Sequence, residues 1–560
     1  MGRKGLAKTN TALLYVNDAL HQTKWGEQAL IYEPSKKTRE TEIHYIIERF
    51  KLFLDEEARS AELPKLPRNL DAKKFIADYL CKMKDVIEEN LEKRCGGVPL
   101  SQVLFVMSVP AEWPPRTREI LRDCAYKAGL LSENNKQNLE FTTEPEAAAI
   151  YCLSSIDEHL SVGDTFLVVD CGGGTVDLTV RTLKPDNTLE EETVRSGGLC
   201  GSTCIDQEFV KFLGRIVGQR ALAEFKRENY GNLQKLIYKF FCPEIKLPFT
   251  GDPEKHENIE LDLEKNCPAL MNFVCSEAKE RLEEDDWVID FDFEDVKKMF
   301  DPTVSKIIDL INAQLECLPK NKIKVMFLVG GFSESTYLYK RIKSALIHLV
   351  PKIIVPKHPI AAIVKGACYY GLNKSVIKVR ALKWTYGIEV NDEYNPHHDP
   401  KELQIKGDRI LRFDPLASVG EKLRINDERS KEYKPLRKEQ LTCTLKLLFT
   451  RLQNPRYSNE KGVHTLGQIS IKFPHNSSGQ DRPIKLFLKF AEEELNATAR
   501  NVITNEVYHA TFVYPIEVNT LSSSSIEVTT ARNEQISTSN SSTSSSSCPI
   551  RPIASITPGS

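Results

Sequence analysis

No stretch of this 560-residue chain approaches the roughly twenty consecutive apolar residues that cross a bilayer, and the longest runs, "VLFVMSV" and "VMFLVGG", stop well short. A membrane-spanning helix is therefore not expected. An excess of one charge is lacking too. Lys plus Arg number 76 against 78 Asp plus Glu, a formal charge of −2, so no bulk field favours nucleic acid or an anionic membrane. The fourteen cysteines include no C-x-x-C pair and no zinc-ligand spacing, and the opening "MGRKGLAKTN" has no apolar core of a secretory signal. These absences predict a soluble, cytoplasmic chain with reduced thiols. The N-x-[ST] triplets at Asn476, Asn496 and Asn540 are then chance matches. Neither G-x-x-x-x-G-K-[ST] nor a G-x-G-x-x-G after Val169 occurs, which excludes the P-loop and the dinucleotide fingerprint.

What the chain does have is "FLVVDCGGGTVD" at residues 166–177. Phe166 to Val169 are too few for a helix and rich enough in branched residues for a buried strand. Glycines directly after a strand allow a tight turn and bring backbone N–H groups close to a ligand such as phosphate, while flanking acids can hold a metal's water shell. A glycine-rich hairpin corner is the other reading. Two further glycine clusters, "GGLCGSTCID" and "FLVGGFSES", also sit at junctions of predicted elements.

Strands are predicted at "TALLYV" and "VLFVMSVP", helices at "LDAKKFIADYLCKMKDVIEENLEK" and "RTREILRDCAYKAGL", the latter closing at Gly129. Strands at 166–169, "VDLTVRTL", "KIKVMFLV" and "KIIV" alternate with helices at "CSEAKERLEEDD", "STYLYKRIKSAL", "PIAAIVKGACYYGL" and "DPTVSKIIDLINAQLECL", the last with Asp301 as its N-cap and Pro302 in its first turn. This alternation implies an α/β sheet. Beyond about residue 378 the period changes to two in "CTLKLLF", "GQISIKF", "IKLFLKF" and "YHATFVY", so a β-rich domain follows. From Leu521 the chain turns Ser- and Thr-rich, too poor in large apolar residues to order itself.

The ordered set "VVDCGGGTVDLTV", "GGLCGSTCID", "FLVGGFSES", with "FVMSVPAEWPPRTREILRDCAYKAGL", "TEPEAAAIY" and "HPIAAIVKGACYYGL", resembles the actin-like ATPase fold and, within it, the seventy-kilodalton heat-shock chaperone family. "LVGGFSES" and "MFDPTVSKI" look most like its divergent member-twelve branch. The resemblance covers most of residues 100–375. It implies an α/β fold of two ribonuclease-H-like lobes: an actin-like ATPase domain at 1–378 (lobe I about 1–162 and 357–378, lobe II about 163–356), a β-rich domain at 379–516 resembling a divergent substrate-binding domain, and a disordered tail at 517–560. "HTLGQISIKFP" and "PIKLFLKFAEEELNATARNVIT" resemble late strands of the family's substrate domain.

By the same resemblance the ligands are ATP or ADP with Mg²⁺. Gly172, Gly173 and Gly174 would offer N–H groups to phosphate, with the Thr175 hydroxyl nearby, and Asp170 would hold a magnesium-bound water. A capping acid at the turn is the other reading of Asp170, and Asp177 would either assist the metal or order the turn. Glu144 falls where the family orients the attacking water, and it also suits a first helical turn. Gly201 and Ser202 fall at a second phosphate contact, and Gly330 and Gly331 where the backbone lies against adenosine. Lys279 falls on the adenine-facing helix, with Ser276 in place of the family's acid there; an exposed Glu/Lys face explains that stretch equally. Small residues Ala147, Ala148, Ala149, Gly366 and Ala367 would let two connecting helices cross as a hinge.

Three departures from the pattern matter. The family opens with a hairpin carrying D-x-G-T-T, whereas these residues begin at "KTNTALLYV", which resembles the segment after it. The family's catalytic lysine is matched only by Lys51, and Ile360 replaces an acid in the second connecting motif. The expectation is nucleotide binding with poor hydrolysis, in a chaperone or a chaperone-derived regulator with unfolded or regulatory protein clients at the β-rich domain. A non-catalytic nucleotide sensor or scaffold is the alternative. Sugar and glycerol kinases share the architecture, but the β-rich domain and "TEPEAAAIY" disfavour them.

Overall fold

The computed structural model describes residues 8–17, 22–54, 71–110, 113, 115–133, 138–154, 160–185, 188–373, 377–406, 408–424, 426–437, 440–473, 482–490, 494–513 and 550–552. The chain divides into two compact units, one of residues 1–113, 117–188 and 195–376, the other of residues 114–116, 189–194 and 377–560.

In the first unit, β1 (Ala12–Val16) pairs antiparallel with both β2 (Gln22–Trp25) and β3 (His44–Glu48). β4 (Phe105–Val109) and β5 (Leu139–Thr143) run parallel. The largest sheet of the unit is built on β6 (Thr165–Cys171), buried at every position, which is why its apolar run is continuous rather than alternating. β6 pairs antiparallel with β7 (Val176–Leu183) and parallel with β12 (Ile323–Val329); β9 (Ser196–Gly198) lies along β7 and β13 (Ile353–Ile354) along β12. A separate hairpin-like pair joins β10 (Ile259–Asp262) to β11 (Val288–Phe291).

The helices that matter to the site are α1 (Ala72–Cys95), α2 (Pro115–Lys127), α3 (Glu144–Ser154), α4 (Thr203–Val217), α5 (Ser276–Glu284), α6 (Phe293–Glu316), α7 (Thr336–Leu346) and α8 (Ala362–Leu372). One core joins Leu167, Val169 and Leu328 of the sheet with Phe209 and Leu213 of α4, Val304, Ile307 and Ile311 of α6 and Leu338 of α7. The predicted start of α6 is corrected by the structure. Asp301 is not its N-cap: the helix begins nine residues earlier, where the Asp292 carboxylate accepts the Asp295 N–H at 2.7 Å. Pro302 lies inside the helix, whose buried stripe of Val296, Met299, Phe300, Thr303 and Val304 runs straight through it. Asp301 instead pairs with Arg341 and accepts the Tyr337 hydroxyl proton, tying α6 to α7.

In the second unit, β8 (Leu189–Glu191) and β18 (Lys422–Arg424) flank β14 (Ile377–Ala381). Two five-stranded sheets follow. One has the order β16 (Gln404–Ile405), β17 (Arg409–Ala417), β15 (Thr385–Glu393), β20 (Thr442–Thr450), β21 (Val463–Lys472). The other has the order β24 (Val507–Val513), β23 (Glu494–Asn501), β22 (Ile484–Phe490), β19 (Glu428–Pro435), β25 (Ile550–Pro552). Their pairings are antiparallel, and alternate residues such as Ile388, Leu445, Leu447, Ile484, Leu486 and Leu488 meet in a shared core. β25 falls within the stretch expected to be disordered, so that expectation fails for Ile550–Pro552; the rest of the 517–560 tail lies outside the described residues.

The tightest packing in the first unit is the crossing of α3 and α8. Ala147, Ala148 and Ala149 are fully buried, and a Cβ added at Gly366 would stand 1.7 Å from the Ala147 carbonyl oxygen. No rotamer relieves a clash between two backbones, so the helices must move apart. Gly366→Ala is expected to cost about 3 kcal/mol or to prevent folding, as overpacking at a rigid contact does. Urea unfolding checks this, and a loss below about 0.5 kcal/mol would contradict the rigid crossing.

Candidate functional site

The site is assembled from backbone, beginning with the turn between β6 and β7. Asp170 and Asp177 stand opposite each other in that ladder, and the chain reverses between them through Gly172, Gly173, Gly174 and Thr175. The Gly172 N–H closes the turn on the Thr175 carbonyl at 2.9 Å. Gly173 and Gly174 are exposed, a Cβ on either would meet nothing within 4 Å, and their N–H groups have no hydrogen-bond partner among the described residues.

The second glycine cluster supports this turn from behind. The N–H groups of Gly201, Ser202 and Thr203 donate to the carbonyls of Gly174, Gly172 and Gly173 at 3.1, 3.1 and 2.9 Å, and the Thr203 hydroxyl donates to the Gly173 carbonyl at 2.9 Å. A Cβ at Gly201 would lie 2.3 Å from the Gly173 oxygen, which is why that position is glycine. The amides of Gly201 and Ser202 thus hold the first turn in place. Gly330 approaches from the end of β12 with φ +85°; its added Cβ would stand 2.4 Å from both Asp170 Oδ1 and the Cys171 oxygen. Its N–H donates to the Pro359 carbonyl, and Ile360 lies beside Gly331. The three glycine clusters, far apart in sequence, therefore converge on the end of β6.

Glu144 opens α3 and is half-buried. Its neighbours form a reciprocal cap: the Thr143 hydroxyl accepts the Glu146 N–H and the Glu146 carboxylate accepts the Thr143 N–H, each at 3.3 Å. Fully buried Glu146 is paired with Arg195 at 2.9 Å, and Arg195 also donates to the Thr143 hydroxyl at 3.3 Å. Arg195 immediately precedes β9, which pairs with β7 at Asp177 and leads into the Gly201 cluster. Glu146 and Arg195 were not singled out from sequence; the T-x-x-E pattern in "TEPE" was the available signal for Glu146, and nothing local marked Arg195.

Other expected residues stand apart. Lys279 on α5 is exposed and ion-paired at 3.6 Å with Glu283, one turn on along the same helix. Lys51 lies in the short 3-10 helix Phe50–Leu54, and its side chain lies outside the described residues. Among the described residues no group of three or more His, Cys, Asp or Glu could ligate a metal directly. Burial pushes the nearby Cys200 thiol up to about 11 and raises those of Cys171 and Cys204. Every described cysteine is free, and no described helix is long and apolar enough to cross a membrane.

No protein-family model matches the chain. It is 27% identical over 525 residues to human heat shock 70 kDa protein 12B, covering 79% of this chain and 75% of that protein. It is also 27% identical to the human and mouse heat shock 70 kDa proteins 12A, over 481 and 482 residues, covering 72% of this chain and 70% of each. These similarities support a place in the divergent member-twelve branch of the Hsp70-like proteins.

Arg195 generates a test of how the site is held. Arg195→Ala breaks the buried ion pair with Glu146, which costs about 3 to 5 kcal/mol. Arg195→Lys keeps the charge but cannot reach both acceptors in a fixed fork, and should lose less. Urea unfolding of both variants gives the order; an Arg195→Ala loss no larger than that of an exposed pair, about 1 kcal/mol or less, would be incompatible with a buried bridge.

Proposed function

We propose that this relative of the heat shock 70 kDa proteins 12A and 12B binds adenine nucleotide at the convergence of its three glycine clusters. The observation that carries the reading is the pair of adjacent, exposed, unengaged N–H groups at Gly173 and Gly174, fixed by a turn that other backbone groups already hold. Such a nest recognises phosphate oxygen at no further ordering cost. In this reading Gly173 and Gly174 bind phosphate, the Thr175 hydroxyl lies alongside, and Gly330 and Gly331 leave room for the nucleoside.

Asp170, and more weakly Asp177, would hold the water shell of Mg²⁺, whose charge would offset that of the phosphates. Glu144, positioned by the Thr143–Glu146–Arg195 bridge, would accept a hydrogen bond from a water approaching the terminal phosphate. Lys51 and Lys279 remain proposals for a catalytic cation and an adenine contact. Two lobes of the first unit would turn about the crossing of α3 and α8, and the β-rich unit would take unfolded or regulatory protein clients.

A second reading, a nucleotide sensor without turnover, is favoured by one observation. Gly201 and Ser202 spend their N–H groups on the first turn, which leaves fewer donors for a transferring phosphoryl group than sequence reading assigned. Each lost donor at such a centre costs on the order of 10² to 10³ in rate. Single-turnover hydrolysis separates the two readings.

Binding itself is tested by titrating the full chain with ATP and ADP, with and without Mg²⁺. Saturable binding is expected, and Gly173→Val should weaken it at least tenfold while leaving the nucleotide-free melting curve unchanged, because the valine Cβ meets nothing within the protein. Absence of binding under every condition would refute the proposal; binding unaffected by Gly173→Val would move the phosphate elsewhere.

A further inference from the structure

Strand β19 reads "ERSKEYKP", five charges in eight residues, yet it is an interior strand of its sheet. On one side it pairs with β22 from Glu428↔Lys489 to Tyr433↔Ile484. On the other, its last three residues pair with β25: Tyr433↔Pro552, Lys434↔Arg551 and Pro435↔Ile550. β25 also packs against β15 and β20 of the facing sheet, so its backbone closes one side of the β-rich unit.

The prolines select the register. In an antiparallel ladder alternate pairs exchange both N–H···O bonds, and a proline cannot sit in such a pair. Two of the three pairs contain a proline, at 435 or 552, so the reciprocal bonds fall on Lys434 and Arg551. Both strands thus place proline where no donor is needed.

The edge is fixed by residues that do not belong to β25. The Tyr433 hydroxyl donates to Asp414 at 2.9 Å, and Lys431 pairs with the same carboxylate at 2.6 Å, anchoring β19 to β17. Just beyond Pro435, Gln440 accepts the Leu436 N–H at 3.0 Å, and buried Arg482 donates to the carbonyls of Gln440 and Arg437 at 2.9 and 3.2 Å. This edge is therefore preformed. β25, by contrast, is joined to the sheet only through residues 514–549, a span that reaches up to roughly 120 Å when extended at about 3.3 Å per residue.

We propose that the Tyr433–Pro435 edge of β19 is a strand-addition site, and that the chain's own segment around "PIRPI" occupies it and closes it to other extended peptides. Main-chain bonds supply the affinity in this mode, and tethering within one chain raises the local concentration of the occupant far above that of a free competitor. The site takes an extended segment with a donor at its central residue and a proline one residue on. This holds whether or not the first unit binds nucleotide.

The test uses a labelled synthetic peptide spanning residues 546–556, the full chain, and the chain ended after residue 540. The truncated chain should bind the peptide saturably and at least tenfold more tightly than the full chain, and a peptide N-methylated at Arg551 should not bind. Equal binding by the two chains, or no binding by either, overturns the proposal. Should truncation prevent folding, hydrogen exchange on the full chain decides: the Lys434 amide should be protected, and Arg551→Pro should speed its exchange at least tenfold. Unprotected exchange at Lys434 in the unaltered chain, or a dimer that disappears on truncation, rules out occupation in cis.

Discussion

A backbone cannot approach another backbone closer than its Cβ atoms permit, and around the end of β6 and the α3/α8 crossing that limit is removed at Gly201, Gly330 and Gly366. At Gly201 the second glycine cluster reaches the carbonyls of the first turn, at Gly330 the end of β12 reaches Asp170 and Cys171, and at Gly366 α8 reaches the Ala147 carbonyl. In each case the added atom would stand 2.4 Å or less from a neighbouring atom. None of these contacts is strong alone. Together they fix how the glycine clusters, β6 and the α3/α8 crossing are placed relative to one another, and a single methyl group would displace any of them.

Buried charge plays the complementary part. Glu146 is fully buried and Arg195 nearly so, and the two are paired at 2.9 Å. Their bridge fixes the first turn of α3 to the segment entering β9, and hence to Asp177 and the Gly201 cluster. A similar pairing of Lys246 with Asp206 at 2.6 Å holds the start of α4, where burial nevertheless raises the carboxyl above its usual range.

Much of the fold was legible because it rests on local pattern. Continuous apolar runs gave β6 and β12, period two gave β20 to β22 and β24, and glycine closed α2 at Gly129. The errors occur where tertiary context overrules a local rule. Asp301-Pro302 carries the residues of a helix start, but an equally good cap at Asp292 and an unbroken apolar stripe carry α6 through it. β19 carries the composition of a surface loop, and only its neighbours on both sides make it a strand. At the site, glycine identity was legible but its use was not: sequence could not distinguish an N–H offered to a ligand from one that holds a turn, as at Gly201 and Ser202. Arg195 was invisible because its partner lies 49 residues away.

The fate of backbone N–H groups unites the two units. Nearly every buried peptide group in a folded chain must be paired, so unpaired or exchangeable ones are informative. In the first unit the Gly172, Gly201, Ser202, Thr203 and Gly330 amides all have protein acceptors, whereas those of the exposed Gly173 and Gly174 have none among the described residues. In the second, β19 has one edge satisfied permanently by β22 and the other by a segment separated from the rest of the unit by 514–549. In the two proposals made above, both are positions where hydrogen bonding is open to exchange with something outside the fold.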